Sequence, residues 1–302
     1  MPATSAAIAR QAYETLEPYH VLAYFNPGLH DAQADLELDA QAFYVGARAA
    51  PMGETVAAVV AATFFNFAPA TIERAWQAAL AAGLAEIDDR RYAMLDEQYR
   101  AILGDTVAEI APLLPEYRAM LADLPLAGRP VGAAWSTSDL PDAPHLELWR
   151  HLSVLREWRG DNHIAELVRH GFTGLEAGVF HEAQLPDPTV KRRVLGRRFF
   201  QISRGWTDID WETAILALAD RGLLELQGDP SADPDSAISP IPGGATHRLT
   251  TAGFELYREI ETGTDEITGA ALATGFADLI DRTRPFVKAV IDAGVLPGTR
   301  KR

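Results

Sequence analysis

The stretch that decides the fold is Trp206–Leu226, WTDIDWETAILALADRGLLEL. Its first part has the composition of a helix, Gly222 is a typical helix stop, and the run Leu223–Leu226 is short and apolar like a strand. A turn rich in Pro, Asp, Ser and Gly follows at 227–246, then a candidate return strand at His247–Leu249 and a helix at 251–262. Helix, glycine stop, strand, turn and strand are the outline of a winged helix.

An earlier stretch repeats this outline. The twelve residues WQAALAAGLAEI at 76–87 align with ILALADRGLLEL at 215–226 at an offset of 139. The first copy predicts a helix over 71–82, strands at 84–87 and 92–95, and a polar turn between them. Any helix that ends in Gly before a strand gives a similar pattern, so a duplication and a coincidence both remain open. The duplication is the favoured interpretation, because the helix pair, the glycine and the strand coincide.

The predicted fold class is mainly α with small β wings, in which two tandem winged-helix-like domains are joined by a helical middle segment. The last helix, predicted at 272–293, is amphipathic and either docks on the first segment or forms a homodimer contact. The predicted segments are an N-terminal helical segment 1–50, a first winged-helix-like domain 51–104, a helical middle segment and linker 105–170, a second winged-helix-like domain 171–265, and a C-terminal helix and tail 266–302.

Composition excludes several classes of protein. The chain has 302 residues with 48% hydrophobic residues, which is ordinary globular composition. It has no cysteine, which removes disulfides, iron–sulfur clusters and thiolate zinc sites. The net charge of −15 disfavours binding to nucleic acid or to an anionic membrane. The first fifteen residues lack a signal-peptide pattern, and no apolar run is long enough to span a bilayer, so we expect a soluble cytoplasmic protein with no membrane partner.

The charges along the chain give two opposing indications about DNA. The second candidate recognition helix begins with Asp208, Asp210 and Glu212, which repel phosphate but stabilise a helix N-terminus. A purely basic stretch precedes it and is the candidate DNA contact. This stretch is either one solvated face with salt bridges or a surface for phosphate or another anion. Its residues are Lys191, Arg192, Arg193, Arg197 and Arg198, with Arg204 beyond them.

The densest polar group is Arg156, Arg159, Asp161 and His163. On a continuous helix the two arginines and His163 share one face. Such a face suits an anionic ligand, with the arginines orienting it and His163 moving a proton under the influence of Asp161. The alternative is structural: Gly160 ends one helix, Asp161 caps the next, and Arg156 pairs with a nearby glutamate.

The aromatic run Phe64-Phe65-Asn66-Phe67 lies between two candidate helices. It is interpreted as a core joint with Asn66 as a helix cap, or as one wall of an apolar pocket in which Phe65, Asn66 and Phe67 contact a ligand. No histidine pair has the spacing of a metal site, and the common nucleotide-binding and serine-hydrolase motifs are absent from the sequence. No metal site and no cofactor is therefore predicted.

Several motifs together resemble one actinobacterial group. They include Leu16-Glu17-Pro18-Tyr19-His20, the run Ala47–Gly53 (ARAAPMG), and the run Leu155–His163 (LREWRGDNH). The group is labelled a SalK-like helix-turn-helix family, related to MarR-type winged helices. The resemblance implies that His20, Tyr24 and Arg48 supply further walls of the pocket predicted at Phe65–Phe67.

Two functions follow from these patterns. The favoured one is a winged-helix scaffold that binds a small organic, anionic ligand. This extends to a cofactor-independent acid/base enzyme of specialised metabolism, with His163 and Asp161 as catalytic residues. The alternative is a ligand-responsive MarR-like transcriptional regulator that binds DNA through the basic stretch.

Overall fold

A computed structural model describes residues 4–190, 192, 194–226, 247–272 and 275–299. This part of the chain is mainly helical and holds one two-stranded antiparallel sheet. None of its helices is both long and apolar enough to cross a membrane. The α-helices are α1 Ser5–His20, α2 Leu29–Asp35, α3 Ala40–Ala49, α4 Ala57–Thr63, α5 Pro69–Ala82, α6 Leu84–Leu103, α7 Leu114–Ala122, α8 Pro130–Thr137, α9 Pro144–Arg169, α10 Gly174–Glu182, α11 Arg197–Arg204, α12 Asp208–Asp220, α13 Thr251–Ala270 and α14 Phe276–Asp292, and the strands are β1 Leu224–Leu226 and β2 His247–Leu249.

The chain divides into two compact units. The first consists of Met1–Val56, Ala75–Asn162 and Thr264–Arg302, and the second of Ala57–Arg74 and His163–Gly263. Both units are built from separated stretches of chain. Three of the four boundaries between them fall within α5, α9 and α13, and the fourth lies directly before α4. The segments predicted from the sequence are consecutive blocks, and these units are not.

The first unit packs around α6 and α1. Helix α6 buries one face, which includes Ile87, Leu95 and Tyr99, and α3 and α14 pack against it. Helix α14 packs against α1. The last helix therefore docks on the first segment, which is one of the two alternatives predicted for it. Gly269 of α13 permits a close approach to α1, because a Cβ there would lie 2.3 Å from the carbonyl oxygen of Ser5.

The strands predicted at 84–87 and 92–95 are wrong, because both lie in α6. The polar run read as a turn is one turn of this helix, in which Asp88 forms an ion pair with Arg91. Arg91 is buried, and its guanidinium lies 4.8 Å from the Trp135 ring centroid and 4.9 Å from that of Trp149. As a helix, this segment places Ile87, Met94 and Leu95 on its buried side. The first wing does not form, and the tandem winged-helix arrangement is not confirmed.

The second unit contains the helix–strand pattern that the second copy predicts. Helices α10, α11 and α12 are followed by β1 and β2, which pair with Leu224 opposite Leu249. Helix α12 begins with a capping box, because the Thr207 side chain accepts from the Asp210 N–H while Asp210 accepts from the Thr207 N–H. Gly222 ends this segment at φ 71°, a conformation that glycine adopts at little cost. The core of the unit includes Trp211, Ile215 and Phe180. The turn predicted at 227–246 lies outside the described residues.

The middle segment predicted at 105–170 contains α7, α8 and α9, and α8 begins at Pro130. The helix end considered at Gly160 is wrong, because one helix, α9, continues through this residue. A single glycine inside a helix costs about 1 kcal/mol relative to alanine, which does not suffice to end it.

Candidate functional site

The first unit contains a cavity among α1, α9, α13 and α14. It encloses about 430 Å³ of empty space, including the part open to solvent. Its wall is largely apolar, with a few polar and charged side chains. The lining residues are Ala9, Ala12, Tyr13, Leu16, Glu17, His20, Leu152, Leu155, Arg156, Arg159, Thr268, Leu272 and Phe276.

Two arginines bring charge to this cavity, and both form ion pairs. Arg159 binds Asp265 at 3.1 Å, and its guanidinium lies 4.1 Å from the centroid of the Tyr13 ring. Arg156 lies 3.2 Å from the Glu157 carboxylate and 3.6 Å from that of Glu17. The continuous course of α9 places the two arginines on one face, as the predicted ligand site requires.

His20 is the most deeply placed titratable group of the cavity wall. Its side chain is buried, and burial lowers its pKa to about 3. Its Nδ1 lies 2.9 Å from the Ser153 hydroxyl oxygen, and its ring is stacked 6.0 Å from that of Trp149. The other ring nitrogen, Nε2, is buried and makes no hydrogen bond. The buried hydroxyl of Thr268, on the same cavity wall, also has no hydrogen-bond partner.

Arg48 and Tyr24, which the resemblance implicates, lie close to His20. Arg48 Nε is 3.0 Å from each carboxylate oxygen of Glu157, and its Nη2 is 2.7 Å from one of them. Burial alone raises the pKa of Glu157, but Arg48 and Arg156 bring it down to about 2. Tyr24 packs edge-on against His20 at 5.5 Å. The sequence predicted His20, Tyr24 and Arg48, and the structure groups them in the first unit.

Asp161 has a structural contact. Its Oδ2 accepts a hydrogen bond of 2.8 Å from the N–H of Gly132, at the N-terminus of α8. Burial raises the pKa of this carboxyl to about 6. Asp161 therefore caps α8 from α9, and it does not cap the helix that follows it in sequence. His163, two positions along α9, is half-buried and belongs to the second unit. Residues two apart on a helix do not face each other, and neither residue lines the cavity described above.

The aromatic run lies in the second unit, where Phe64 and Phe67 pack together and Phe65 and Phe67 line a groove, while Asn66 is not among the lining residues. Phe64 and Phe67 pack edge to face at 5.4 Å, and the indole N–H of Trp206 donates to the Asn66 carbonyl oxygen at 2.9 Å. Phe65 and Phe67 also line an open groove of about 790 Å³ together with Trp206. The predicted further walls of this pocket are wrong, because the residues lining the groove do not include His20, Tyr24 or Arg48.

Two residues of the basic stretch, Arg192 and Arg197, form contacts within the second unit. Arg197 is buried and pairs with Asp208 at 2.7 Å and Glu212 at 3.1 Å. Arg192 lies over the Tyr257 ring at 4.9 Å and donates to the Ala183 carbonyl. Arg198 is exposed. Lys191 and Arg193 lie outside the described residues. Arg197 therefore fits the salt-bridge interpretation of this stretch.

Helix α12 presents apolar and acidic side chains to solvent. Ile209 is 77% exposed and Leu216 is 52% exposed, and Asp208 and Asp220 are exposed beside them. A helix that reads a DNA groove presents donors to bases and phosphates. Helix α12 offers few of them, in agreement with the acidic sequence of its first turn.

Sequence reasoning missed the partners that hold this site. Ser153, Thr268 and Asp265 are these partners, and Thr268 and Asp265 lie on α13, far along the chain from α1 and α9. The Arg159–Asp265 pair spans 106 residues, and no local signal announces such a contact. Glu157 directly follows Arg156, and its ion pair with Arg156 agrees with the structural alternative, in which Arg156 pairs with a nearby glutamate.

Comparison with known proteins identifies the family of this chain but no ligand. No curated protein and no solved structure matches the chain. Within the described residues, no cluster of three or more His, Asp and Glu side chains is suited to a metal ion. A family described as a helix-turn-helix family matches residues 9–297. The chain belongs to this helix-turn-helix family.

Proposed function

We propose that this protein binds a small organic molecule in the cavity of the first unit. The observation that carries the proposal is His20, which lines this largely apolar cavity and whose buried Nε2 has no hydrogen-bond partner. More than nine in ten buried polar groups in proteins have a hydrogen-bond partner, and an unsatisfied one costs about 1–3 kcal/mol. A bound molecule that meets His20 removes this cost.

The cavity has the composition of a ligand site. Its wall combines leucine, alanine and phenylalanine with a few polar groups, which is typical of small-molecule pockets. Arg156 and Arg159 carry their charge to this wall and suit a ligand with a polar or anionic end. Both arginines are already oriented by Glu157, Glu17 and Asp265, so a ligand meets a preformed arrangement.

Binding is favoured over turnover at His20. A general base works best with a pKa near the operating pH, and the pKa of His20 is about 3. His20 is then a hydrogen-bond acceptor that takes up no proton at neutral pH. The catalytic roles predicted for His163 and Asp161 stay a separate hypothesis. It is tested by His163→Ala, which should keep the fold and lose turnover if His163 acts chemically.

The test of binding uses a variant that fills the cavity. Ala12→Phe places a ring into the lining, and Ala101→Phe on the exposed face of α6 is the matched control. A set of small aromatic alcohols, amines and carboxylic acids is screened by thermal shift and by methyl NMR. We expect binders that shift wild type and Ala101→Phe but not Ala12→Phe. Binders that are indifferent to Ala12→Phe, or the absence of any binder at 10 mM, count against the proposal.

DNA binding is the second candidate function, and the family match favours it. The ion pairs of Arg197 and the exposed side chains of α12 oppose it. A mobility-shift assay with random duplex at low salt separates the two functions. We expect no shift; tight binding that weakens steeply with salt would establish the DNA-binding function instead.

A further inference from the structure

We infer that the ligand presents a hydrogen-bond donor, a hydroxyl or an N–H group, to Nε2 of His20. The inference rests on the proposed function and narrows the ligand to a class: an apolar, alcohol-like or amine-like molecule whose donor enters the cavity first. It follows from the hydrogen bonds around the His20 ring, which fix where the ring proton lies.

The Ser153 hydroxyl settles the tautomer of His20. A hydroxyl has a single hydrogen to donate. The Ser153 hydroxyl directs it to the Trp149 carbonyl oxygen at 2.8 Å, one turn earlier on α9. The Ser153 oxygen therefore accepts the bond of 2.9 Å from His20, and Nδ1 is the ring nitrogen that carries the proton. In a neutral imidazole the remaining nitrogen, Nε2, is then an acceptor only.

The surroundings of His20 keep the ring neutral. Burial disfavours the imidazolium, and the nearby positive charges of Arg156, Arg48 and Arg91 outweigh the opposing charge of Glu157. A doubly protonated ring, which would offer a donor to an anion, is thus disfavoured. A carboxylate or an ether oxygen at Nε2 would place two acceptors against each other. A hydroxyl or N–H group satisfies the nitrogen.

The rest of the cavity defines the body of the ligand. Leu16, Leu152, Leu155 and Phe276 line it with apolar surface. The Thr268 hydroxyl, also without a partner, both donates and accepts and therefore does not discriminate between ligands. Arg156 and Arg159 lie on the same wall, where an anionic group fits if the ligand has one. This places any negative charge at the arginines and the donor at His20.

The test compares related aromatic probes with and without a donor. Phenol is paired with anisole, and indole with benzofuran, and the affinities are measured by NMR titration. We expect phenol and indole to bind about tenfold more tightly than their partners, since a neutral hydrogen bond to an otherwise unsatisfied group is worth about 1.4 kcal/mol. In His20→Phe the preference disappears. Equal affinities in wild type, or tighter binding of anisole and benzofuran, overturn the inference.

Nitrogen NMR of the imidazole provides a readout that needs no ligand. We expect His20 to show a protonated Nδ1 and an unprotonated Nε2 in wild type. Ser153 is a positioning residue: Ser153→Ala should let the proton move to Nε2 and reduce the donor preference, and Ser153→Thr should restore both. A protonated Nε2 in wild type overturns the inference while leaving cavity binding intact. If no probe binding is sensitive to Ala12→Phe, the proposed function itself fails.

Discussion

Asp161→Asn separates a structural from a catalytic role for a predicted site residue. The Asp161 carboxylate is buried, and it accepts from the Gly132 N–H at the N-terminus of α8. An asparagine has the same size, and its side-chain oxygen accepts the same hydrogen bond without a charge. The substitution therefore keeps the cap and removes the cost of burying an ionised group.

The magnitude follows from the two pKa values of Asp161. An aspartate in an unfolded chain titrates near pH 3.9, and burial raises the pKa of Asp161 to about 6 in the folded protein. Because the folded state holds this proton more tightly, the contribution to stability is fully present below pH 4 and is lost as the pH rises through 6. The loss in wild type is about 3 kcal/mol, which for a chain of this length is roughly 5 °C in Tm.

The measurement is Tm against pH for wild type and the variant. Histidines with lowered pKa, such as His151 and His247, act in the opposite direction over the same range. Only the difference in Tm between the variant and wild type isolates the contribution of Asp161. We expect Asp161→Asn to gain roughly 5 °C relative to wild type between pH 4 and pH 8. The control Asp105→Asn, at an exposed site, should give a flat difference. A flat difference for Asp161→Asn as well would refute the burial argument.

Three further substitutions test the packing that supports the site. Glu157→Gln leaves Arg48 buried without a counter-charge and should lower the free energy of unfolding by about 3 kcal/mol or more, measured by urea denaturation; a neutral effect would contradict the ion-pair geometry. Gly269→Ala brings a Cβ to 2.3 Å from the Ser5 carbonyl oxygen and should lower Tm and weaken binding of cavity probes. Gly160→Ala meets no atom within 4 Å and should stabilise α9 by about 0.5–1 kcal/mol, whereas destabilisation would show that the helix ends there.

Local sequence signals account for the second unit better than for the first. Gly83 and Gly222 both adopt positive φ, and each is followed by leucine and then by a short apolar run. After Gly222 the run pairs with β2 and becomes a strand. After Gly83 the run continues into α6, whose buried face extends to Leu103. A run of four residues with three apolar side chains does not distinguish a strand from a helix, and the deciding contacts lie far along the chain.

The candidate site was predictable one residue at a time but not as an arrangement. His20, Arg156 and Arg159 were identified from polar residues of the sequence and from the resemblance, and all three line the cavity. The tautomer of His20 depends on Ser153, which lies 133 residues away. Long-range packing creates such a contact, and a single sequence contains no periodic signal for it.

Membership of the helix-turn-helix family favours DNA binding, whereas the side chains of α12 oppose it. The ion pairs of Arg197 bear on this difference. Arg197 is the first residue of α11, the helix that precedes α12, and belongs to the basic stretch that the sequence offers as a DNA contact. It is buried and divides its guanidinium between Asp208 and Glu212. To contact DNA, Arg197 would have to leave these carboxylates, which would then face the phosphates without a counter-charge. Thr207 and Asp210 cap α12, and the buried Trp211 packs it into the second unit. These contacts maintain the helix without any contact to DNA. Retention of the helices therefore does not require retention of DNA binding, and the net charge of −15 of the whole chain opposes binding to phosphate.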